Sequence, residues 1–292
     1  MGWFSDHAVT LVNGFAEGML LYMMAAGLTL IFGLMDVLNL AHGVFFLFGA
    51  YVAFQVGRDG QHWGLALLAA IGVGILLGLA LAVAIRPLRG RGHLDQALLT
   101  LGASFVLAGV VTLIWGYGYQ SISPPSFLNG SVSIVGHSYP VYRLAVIAVG
   151  LVVAVALYLV IERTPPGAIV RAAVTDREML GAMGYNVGLI MALVFVVGAV
   201  IAAVGGMVGG PILGVNPGLD NDVLLLALIV VTVGGLGSLG GALVGAIVIG
   251  EVQALGTALF PSVAGLLLFG AMVAILVVRP QGLFGIVHEV RT

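Results

Sequence analysis

Long apolar runs separated by short polar breaks dominate the chain, and this pattern predicts a bundle of membrane-spanning helices. A helix needs about 20 apolar residues to cross a bilayer, and most of the runs reach or approach that length. The predicted spans are Gly18–Met35, Leu40–Phe54, Trp63–Ile85, Gln96–Gly116, Leu144–Ile161, Val187–Val215, Val223–Gly250 and Val252–Val278.

The two closing runs, Val223–Gly250 and Val252–Val278, are each too long for a single upright helix. We expect three crossings in this region, with a break between the first two at the glycine-rich stretch Gly234–Gly241. A turn near Glu251 then places this acid at the membrane surface. Taken together, the pattern predicts an all-α, polytopic bundle of about 8–9 spans that include short or broken helices.

Composition agrees with this fold class and excludes several kinds of function. Hydrophobic residues make up 61% of the chain and charged residues 8%, whereas soluble domains carry roughly 25% charge. Without cysteine, the chain has no disulfides, zinc–thiolate sites or thiol catalysis. Without lysine, it cannot form a Walker A loop, so any ATP that powers it must be bound by another chain. The net charge of −2 argues against nucleic acid, and the dispersed histidines offer no metal site.

The positions of arginine predict which loops face the cytoplasm, because basic residues are enriched on that side of a membrane. The resulting topology places residues 162–186 and the C-terminus inside, and Tyr117–Tyr142 outside as an ordered loop. By the same counting, the N-terminus lies outside, and Asp220 and Asp222 lie in an outer turn. The arginines that define the inner side are Arg86, Arg89, Arg91, Arg163, Arg171, Arg177, Arg279 and Arg291.

Similar glycine-rich interruptions occur near each end of the chain. Gly27–Gly33 leads into Asn39–Gly43, and Leu226–Thr232 leads into Gly237–Gly241. Paired interruptions are typical of internal repeats and of transport pathways, because broken backbone within a membrane must be buried in protein or line a water-filled cavity. The alternative is that Asp36–Gly43 is a short loop at the membrane surface. The candidate pathway residues are Asn39, His42, Gly43 and Ser238.

Residues 162–186 form the most informative cytoplasmic segment. Pro165 and Pro166 end the preceding span in this prediction, and two short amphipathic helices follow. Thr175–Glu178 has the pattern of a capping box for the second helix, which is expected to stop at Gly184. Mixed charges favour a protein partner over an anionic membrane, with an interfacial helix on lipid as the alternative. The expected apolar anchors for that partner are Met179, Leu180 and Met183.

Three parts of the sequence resemble a known family. They are Gly27–Gly33 with Asn39–Gly43 and Gly49–Tyr51, then Arg171–Glu178 with Met183–Asn186, and finally Gly234–Ala242 with Arg279–Gly285. On these residues the chain resembles, over nearly its whole length, the LivH-like permease subunits of branched-chain amino acid ABC importers. Leu40 is a departure, since the family usually has Asn-Phe-Ala-His where this chain has Asn-Leu-Ala-His.

The resemblance implies a single permease domain over residues 1–292 in the cell (inner) membrane, with no catalytic residue and no cofactor bound by this chain. It also implies four partners: a second permease, identical or homologous, two cytoplasmic ATPases that bind ATP-Mg, and an extracytoplasmic solute-binding protein. Because related permeases import urea or short amides, the solute stays open between branched-chain amino acids and other small polar solutes. The residues assigned to ATPase coupling are Arg171, Ala172, Thr175, Asp176, Arg177, Glu178, Leu180, Met183 and Gly184.

Two other functional classes are alternatives at this point. An ion-coupled secondary transporter or channel for a small polar solute needs intramembrane acids, and only Glu251 and Asp36 are placed to serve. An intramembrane enzyme needs a catalytic set of side chains, and the sequence shows none with suitable spacing.

Overall fold

The computed structural model of the protein describes residues 3–35, 39–57, 62–88, 92–134 and 136–285. Asp36, Arg89, Arg91 and Arg291, all invoked above, lie outside these ranges. The described residues form eleven α-helices and one β-hairpin. The elements are α1 (Trp3–Met35), α2 (His42–Gly57), α3 (Trp63–Ile85), α4 (His93–Trp115), β1 (Ser131–Ile134), β2 (His137–Pro140), α5 (Val141–Arg163), α6 (Pro165–Thr175), α7 (Arg177–Ala182), α8 (Val187–Leu213), α9 (Leu219–Gly234), α10 (Leu239–Leu259) and α11 (Ala264–Val278).

Seven of the described helices are long and apolar enough to cross a membrane, namely α1, α3, α4, α5, α8, α10 and α11 with the 3-10 turn that precedes it. The shorter helices α2 and α9 complete the bundle. This arrangement confirms the predicted all-α polytopic fold with short spans. Helix α3 has the predicted bounds, and the ends of α4, α5 and α8 lie within three residues of the predicted ones.

The C-terminal runs form three helices, as predicted, but the second break lies elsewhere. Helices α9 and α10 separate at Gly235–Ser238, inside the predicted stretch. Helices α10 and α11 separate at Phe260, which is followed by one 3-10 turn. Glu251 therefore lies inside α10 with its Oε2 atom buried, and the prediction of a surface turn beside it is wrong. The acid is held there because α10 continues along α1, where Gly14 leaves room for the Glu251 side chain.

Helix α1 lies at the centre of the bundle and packs most extensively on α10, α8, α5 and α9. In contrast, α4, α5 and α11 expose leucine and valine side chains over much of their surface, as expected for helices that face lipid. Helices α2, α3 and α8 pack against one another, and α8 joins this group to α1. The core of the bundle therefore lies around α1 and the two helices that contact it most, α8 and α10.

Glycine allows the backbones of α2 and α8 to touch. A Cβ atom on Gly49 would overlap the carbonyl of Ala203, and one on Gly206 would overlap the carbonyl of Phe46. Helices in lipid lack a hydrophobic driving force for association, so close van der Waals contact between small residues supplies much of their affinity. These glycines therefore fix where the short helix α2 crosses α8.

The described part of the loop between α4 and α5 contains a hairpin that the apolar pattern of the sequence did not predict. Strands β1 and β2 pair antiparallel, with Ser131 opposite Pro140. Gln120 forms a further antiparallel bridge with Val215, with N–H···O distances of 2.8 and 2.9 Å. The loop is thereby tied to the connection between α8 and α9.

Candidate translocation pathway and coupling segment

Asn39 and His42 are completely buried, with exposed fractions of 0%. Asn39 organises the start of α2: its Oδ1 atom accepts from the Ala41 N–H at 3.1 Å, and its carbonyl accepts from the His42 N–H at 3.2 Å. The Leu40 N–H donates to the Thr100 hydroxyl on α4 at 3.1 Å. Residues 39–43 are therefore packed inside the protein, as a place in the translocation pathway requires.

The His42 ring reaches the interior of the central helix. Its Nε2–H donates to the Met24 carbonyl at 3.2 Å, and its ring meets Phe45 edge-on at 5.7 Å. A Cβ atom on Gly27 would lie 2.8 Å from Nε2, so glycine at that position is what admits the imidazole. Met24 and Gly27 lie inside the candidate span His7–Gly33, so His42 contacts the interior of a helix that is long and apolar enough to cross a membrane.

The N-termini of α2 and α9 meet in the interior of the bundle. A Cβ atom on Gly43 would overlap the Asp220 carbonyl and lie 3.1 Å from the Leu224 Cβ atom. Asp220 is only 3% exposed, so its side chain is buried beside this contact. Sequence reasoning missed its proximity to Asn39–Gly43; the available signal was a pair of acids in the first turn of a helix, where they favour the positive end of the helix dipole.

Three buried polar atoms around this contact lack a hydrogen-bond partner within the described part of the chain. They are Asn39 Nδ2, His42 Nδ1 and Asp220 Oδ1. An unpaired buried polar group costs free energy, so proteins retain such groups chiefly for function or to hold water. A polar interior at one point of an apolar bundle is the property that a route for polar solutes requires.

Ser238 is not brought together with Asn39 and His42. Its hydroxyl accepts from the Gly241 N–H at 3.0 Å and caps α10. The neighbouring Gly237 packs against Gly33, roughly two helical turns along α1 from Gly27. Capping of α10 accounts for the serine at this position.

A cleft of about 260 Å³ opens between α1, α2, α8, α9 and α10. Its wall combines apolar side chains with isolated polar ones, and sequence reasoning missed it. The available signals were single polar residues in otherwise apolar runs. The polar wall residues are Glu17, Asn216, Asp222 and Gln253.

The segment between α5 and α8 contains the two predicted short helices. The Thr164 hydroxyl accepts from the Gly167 N–H at 3.2 Å and caps α6. Asp176, rather than Thr175, caps α7, because its Oδ1 atom accepts from the Met179 N–H at 2.9 Å. The predicted capping box is therefore wrong by one residue, since α6 continues through Thr175. Gly184 follows α7 with a φ of 88°, as a helix-ending glycine does.

The side chains of this segment divide into packed and exposed groups. Leu180 is 4% exposed and packs within the chain, whereas Met179 and Met183 are 64% and 66% exposed. The Arg171 guanidinium donates to the Ile161 carbonyl and lies 3.5 Å from the Glu162 carboxylate, so it ties α6 to the end of α5. Ala172, Asp176, Arg177 and Glu178 are exposed. Leu180 is thus covered by this chain itself, whereas Met179 and Met183 are exposed and available for contact with a partner.

Comparison with known proteins identifies the family. The family described as "Branched-chain amino acid transport system / permease component" matches residues 10–277. The chain belongs to this family. It is 32% identical to the high-affinity branched-chain amino acid transport system permease protein BraD of Pseudomonas aeruginosa, and 30% identical to LivH of Escherichia coli, with 94% of both chains covered in each case. The solved PsaBC complex from Streptococcus pneumoniae with Fab aligns over 91% of this chain and 89% of its own, with 15% identity and a TM-score of 0.49.

Family membership confirms the resemblance found in the sequence. The chain is a multi-pass membrane permease component of the branched-chain amino acid transport system family, and it belongs with translocation subunits rather than with enzymes. The comparisons support this interpretation and not the ion-coupled transporter or channel.

Proposed function

We propose that the chain is the membrane-spanning subunit of an ATP-driven importer for branched-chain amino acids or a related small polar solute. The match to permease components over residues 10–277 carries this proposal. The relatives that cover 94% of the chain are named as permease proteins of high-affinity branched-chain amino acid transport systems. The buried polar groups at the start of α2 agree with a polar solute crossing an apolar bundle.

The working importer would combine this chain with a second permease, two cytoplasmic ABC ATPases and an extracytoplasmic solute-binding protein. ATP-Mg would be bound on the ATPases, since a chain without lysine has no Walker A loop. The relatives are permease proteins of transport systems, and a system implies additional subunits for energy and solute capture.

The importer would lie in the cell (inner) membrane. The proposed orientation places residues 162–186 and the C-terminus in the cytoplasm. Arg86 directly follows α3, Arg163 ends α5 and Arg279 directly follows α11. With alternating crossings, these three helix ends lie on the same side of the bundle. An excess of arginine marks the cytoplasmic side of membrane proteins.

Coupling to the ATPases would pass through α7 into α8. Met179 and Met183 offer a flexible apolar surface to a partner, and methionine adapts readily to grooves. Only residues 183–186 separate α7 from α8, so movement of α7 is transmitted directly to α8. Helix α8 packs on α1, α2 and α3 and thus on the helices that surround Asn39 and His42.

An uptake assay tests the function. The chain would be expressed with its partner subunits in a bacterial strain that lacks leucine uptake, and radiolabelled leucine accumulation would be measured. We expect accumulation that disappears when the Walker A lysine of the ATPases is replaced. Accumulation that persists with inactive ATPases and follows an ion gradient would identify a secondary transporter instead. Failure to accumulate leucine or any related small polar solute would overturn the proposal.

A further inference from the structure

The wall of the cleft between α1, α2, α8, α9 and α10 combines acidic side chains with apolar ones. Its volume of about 260 Å³ is far more than a single water molecule requires, so the cleft has room for a small solute. Two carboxyl side chains line it, Glu17 from α1 and Asp222 from α9. Glu17 is half-buried and Asp222 is exposed, so the two acids lie where a solute arriving from water can reach them.

We propose that this cleft is a subsite for a small zwitterionic amino acid with an apolar side chain, with its ammonium group bound by Glu17 and Asp222. The inference rests on the proposed function and deepens it by naming the groups of this chain that recognise the solute. Ammonium–carboxylate hydrogen bonds are charge-assisted and are stronger than neutral ones. Arg143, whose charge acts on Glu17, donates to Asn13 Oδ1 at 2.6 Å and does not line the cleft.

The rest of the wall fits the remaining parts of such a solute. Leu20, Phe46 and Val223 provide an apolar surface for an aliphatic side chain. Asn216 and Gln253 provide amide groups that can donate to a carboxylate, and the Oε1 atom of Gln253 is buried without a hydrogen-bond partner among the described residues.

The position of the cleft agrees with solute entry. Leu213, the last residue of α8, lines it, whereas the α6–α7 segment precedes the first residue of α8. The 27 residues of α8 span about 40 Å, so the cleft and the proposed ATPase contact lie at opposite ends of the same helix. In the proposed orientation the cleft faces outward, where a solute arrives.

A thiol-protection experiment tests the subsite separately from transport, because the chain has no native cysteine. The variant Leu213→Cys places a reporter at the rim of the cleft, and Tyr117→Cys places a control on the exposed loop, where the native side chain is 86% exposed. Membrane vesicles that contain the assembled transporter are treated with a water-soluble thiol reagent. We expect millimolar leucine to slow modification at position 213 several-fold and to leave position 117 unchanged. We also expect 4-methylpentanoate, which lacks the ammonium group, to give no protection.

Acid-to-amide variants in the Leu213→Cys background test the two carboxylates. Glu17→Gln and Asp222→Asn should each raise the half-protecting leucine concentration about tenfold. Asp95→Asn, an exposed acid in the first turn of α4, is the matched control and should retain protection. Because Asp222 is exposed, Asp222→Asn should fold normally. It therefore tests the subsite even if the Glu17→Gln protein fails to insert into the membrane.

The outcomes separate the subsite from the function. No protection by leucine, equal protection by 4-methylpentanoate, or unchanged protection in both acid variants would overturn the subsite even if uptake is normal. Protection that depends on Glu17 and Asp222 in a protein without ATP-driven uptake would support the subsite and contradict the proposed function.

Discussion

The imidazole Nε2–H of His42 donates to the carbonyl oxygen of Met24 at 3.2 Å, which joins the first turn of α2 to the middle of α1. The carbonyl can only accept, so Nε2 carries the hydrogen. The other ring nitrogen, Nδ1, is buried and has no partner within the described residues. His42 thus anchors α2 through one nitrogen and presents the other to the polar interior.

His42→Phe should destabilise the permease. The phenyl ring cannot donate to the Met24 carbonyl, and it extends toward Gly27, where the native ring already fits closely. The expected cost is about 1–3 kcal/mol, which should lower the midpoint of thermal unfolding in detergent by several degrees. His137→Phe on the exposed strand β2 is the control and should leave the midpoint unchanged. An unaltered midpoint in His42→Phe would show that the Met24 contact contributes little.

Asn39 should become accessible to water only during transport. The side chain is completely buried in the structure, so a cysteine introduced by Asn39→Cys should resist a water-soluble thiol reagent in resting vesicles and react during ATP turnover. Ser138→Cys, at an exposed position of β2, should react under both conditions. If position 39 is unreactive in every nucleotide state and the variant transports normally, Asn39 is a packing residue and not part of the pathway.

Gly43→Ala should disrupt the contact between α2 and α9. The new methyl group would collide with the Asp220 carbonyl, and a backbone atom cannot move away as a flexible side chain can. Overpacking of this kind costs about 1–3 kcal/mol, so we expect less folded protein after size-exclusion chromatography. Gly109→Ala on α4 is the matched control and should leave the yield unchanged, because a Cβ atom there meets nothing within 4 Å. Equal yields of the two variants would contradict the close contact.

Met183→Asp and Leu180→Asp should fail for different reasons. Met183 is exposed, so its variant should insert and fold normally but lose the ATPases during co-purification. Leu180 packs inside the chain, so its variant buries an unpaired charge and should lower the folded yield itself. Normal ATPase retention and uptake in Met183→Asp would return the α6–α7 segment to the role of a membrane-surface helix.

The spans could be predicted from the sequence because each is a long apolar run with polar ends. The same rule failed at Glu251, where a single acid was assumed to need the membrane surface. In the structure, Gly14 on α1 leaves space for its side chain. A contact between residues 237 positions apart is a tertiary property that periodicity and composition do not contain.

The candidate site shows the same limit. Asn39 and His42 were identified because they interrupt apolar runs, and both are completely buried in the bundle. Asp220 was expected in an outer turn because it follows Pro217, and its contact with Gly43 could not be predicted from the sequence. Ser238 interrupts a run too, but it caps α10. Polar breaks therefore indicated where to look, and only the packing of α1, α2 and α9 distinguished an interior site from a helix cap.

The central position of α1 has a consequence for the order of synthesis. Helix α1 leaves the ribosome before the other described helices, yet the helices that cover it most, α8 and α10, begin more than 150 residues after it. Helices α1 and α10 have the lowest mean hydropathy of the seven candidate spans, 1.7. In the most apolar part of α1, 83% of the residues are buried in the finished bundle. Until α8 and α10 have been synthesised, α1 must therefore remain in contact with lipid or with the insertion machinery. Assembly of this permease is thus completed late, when α8 and α10 close around α1.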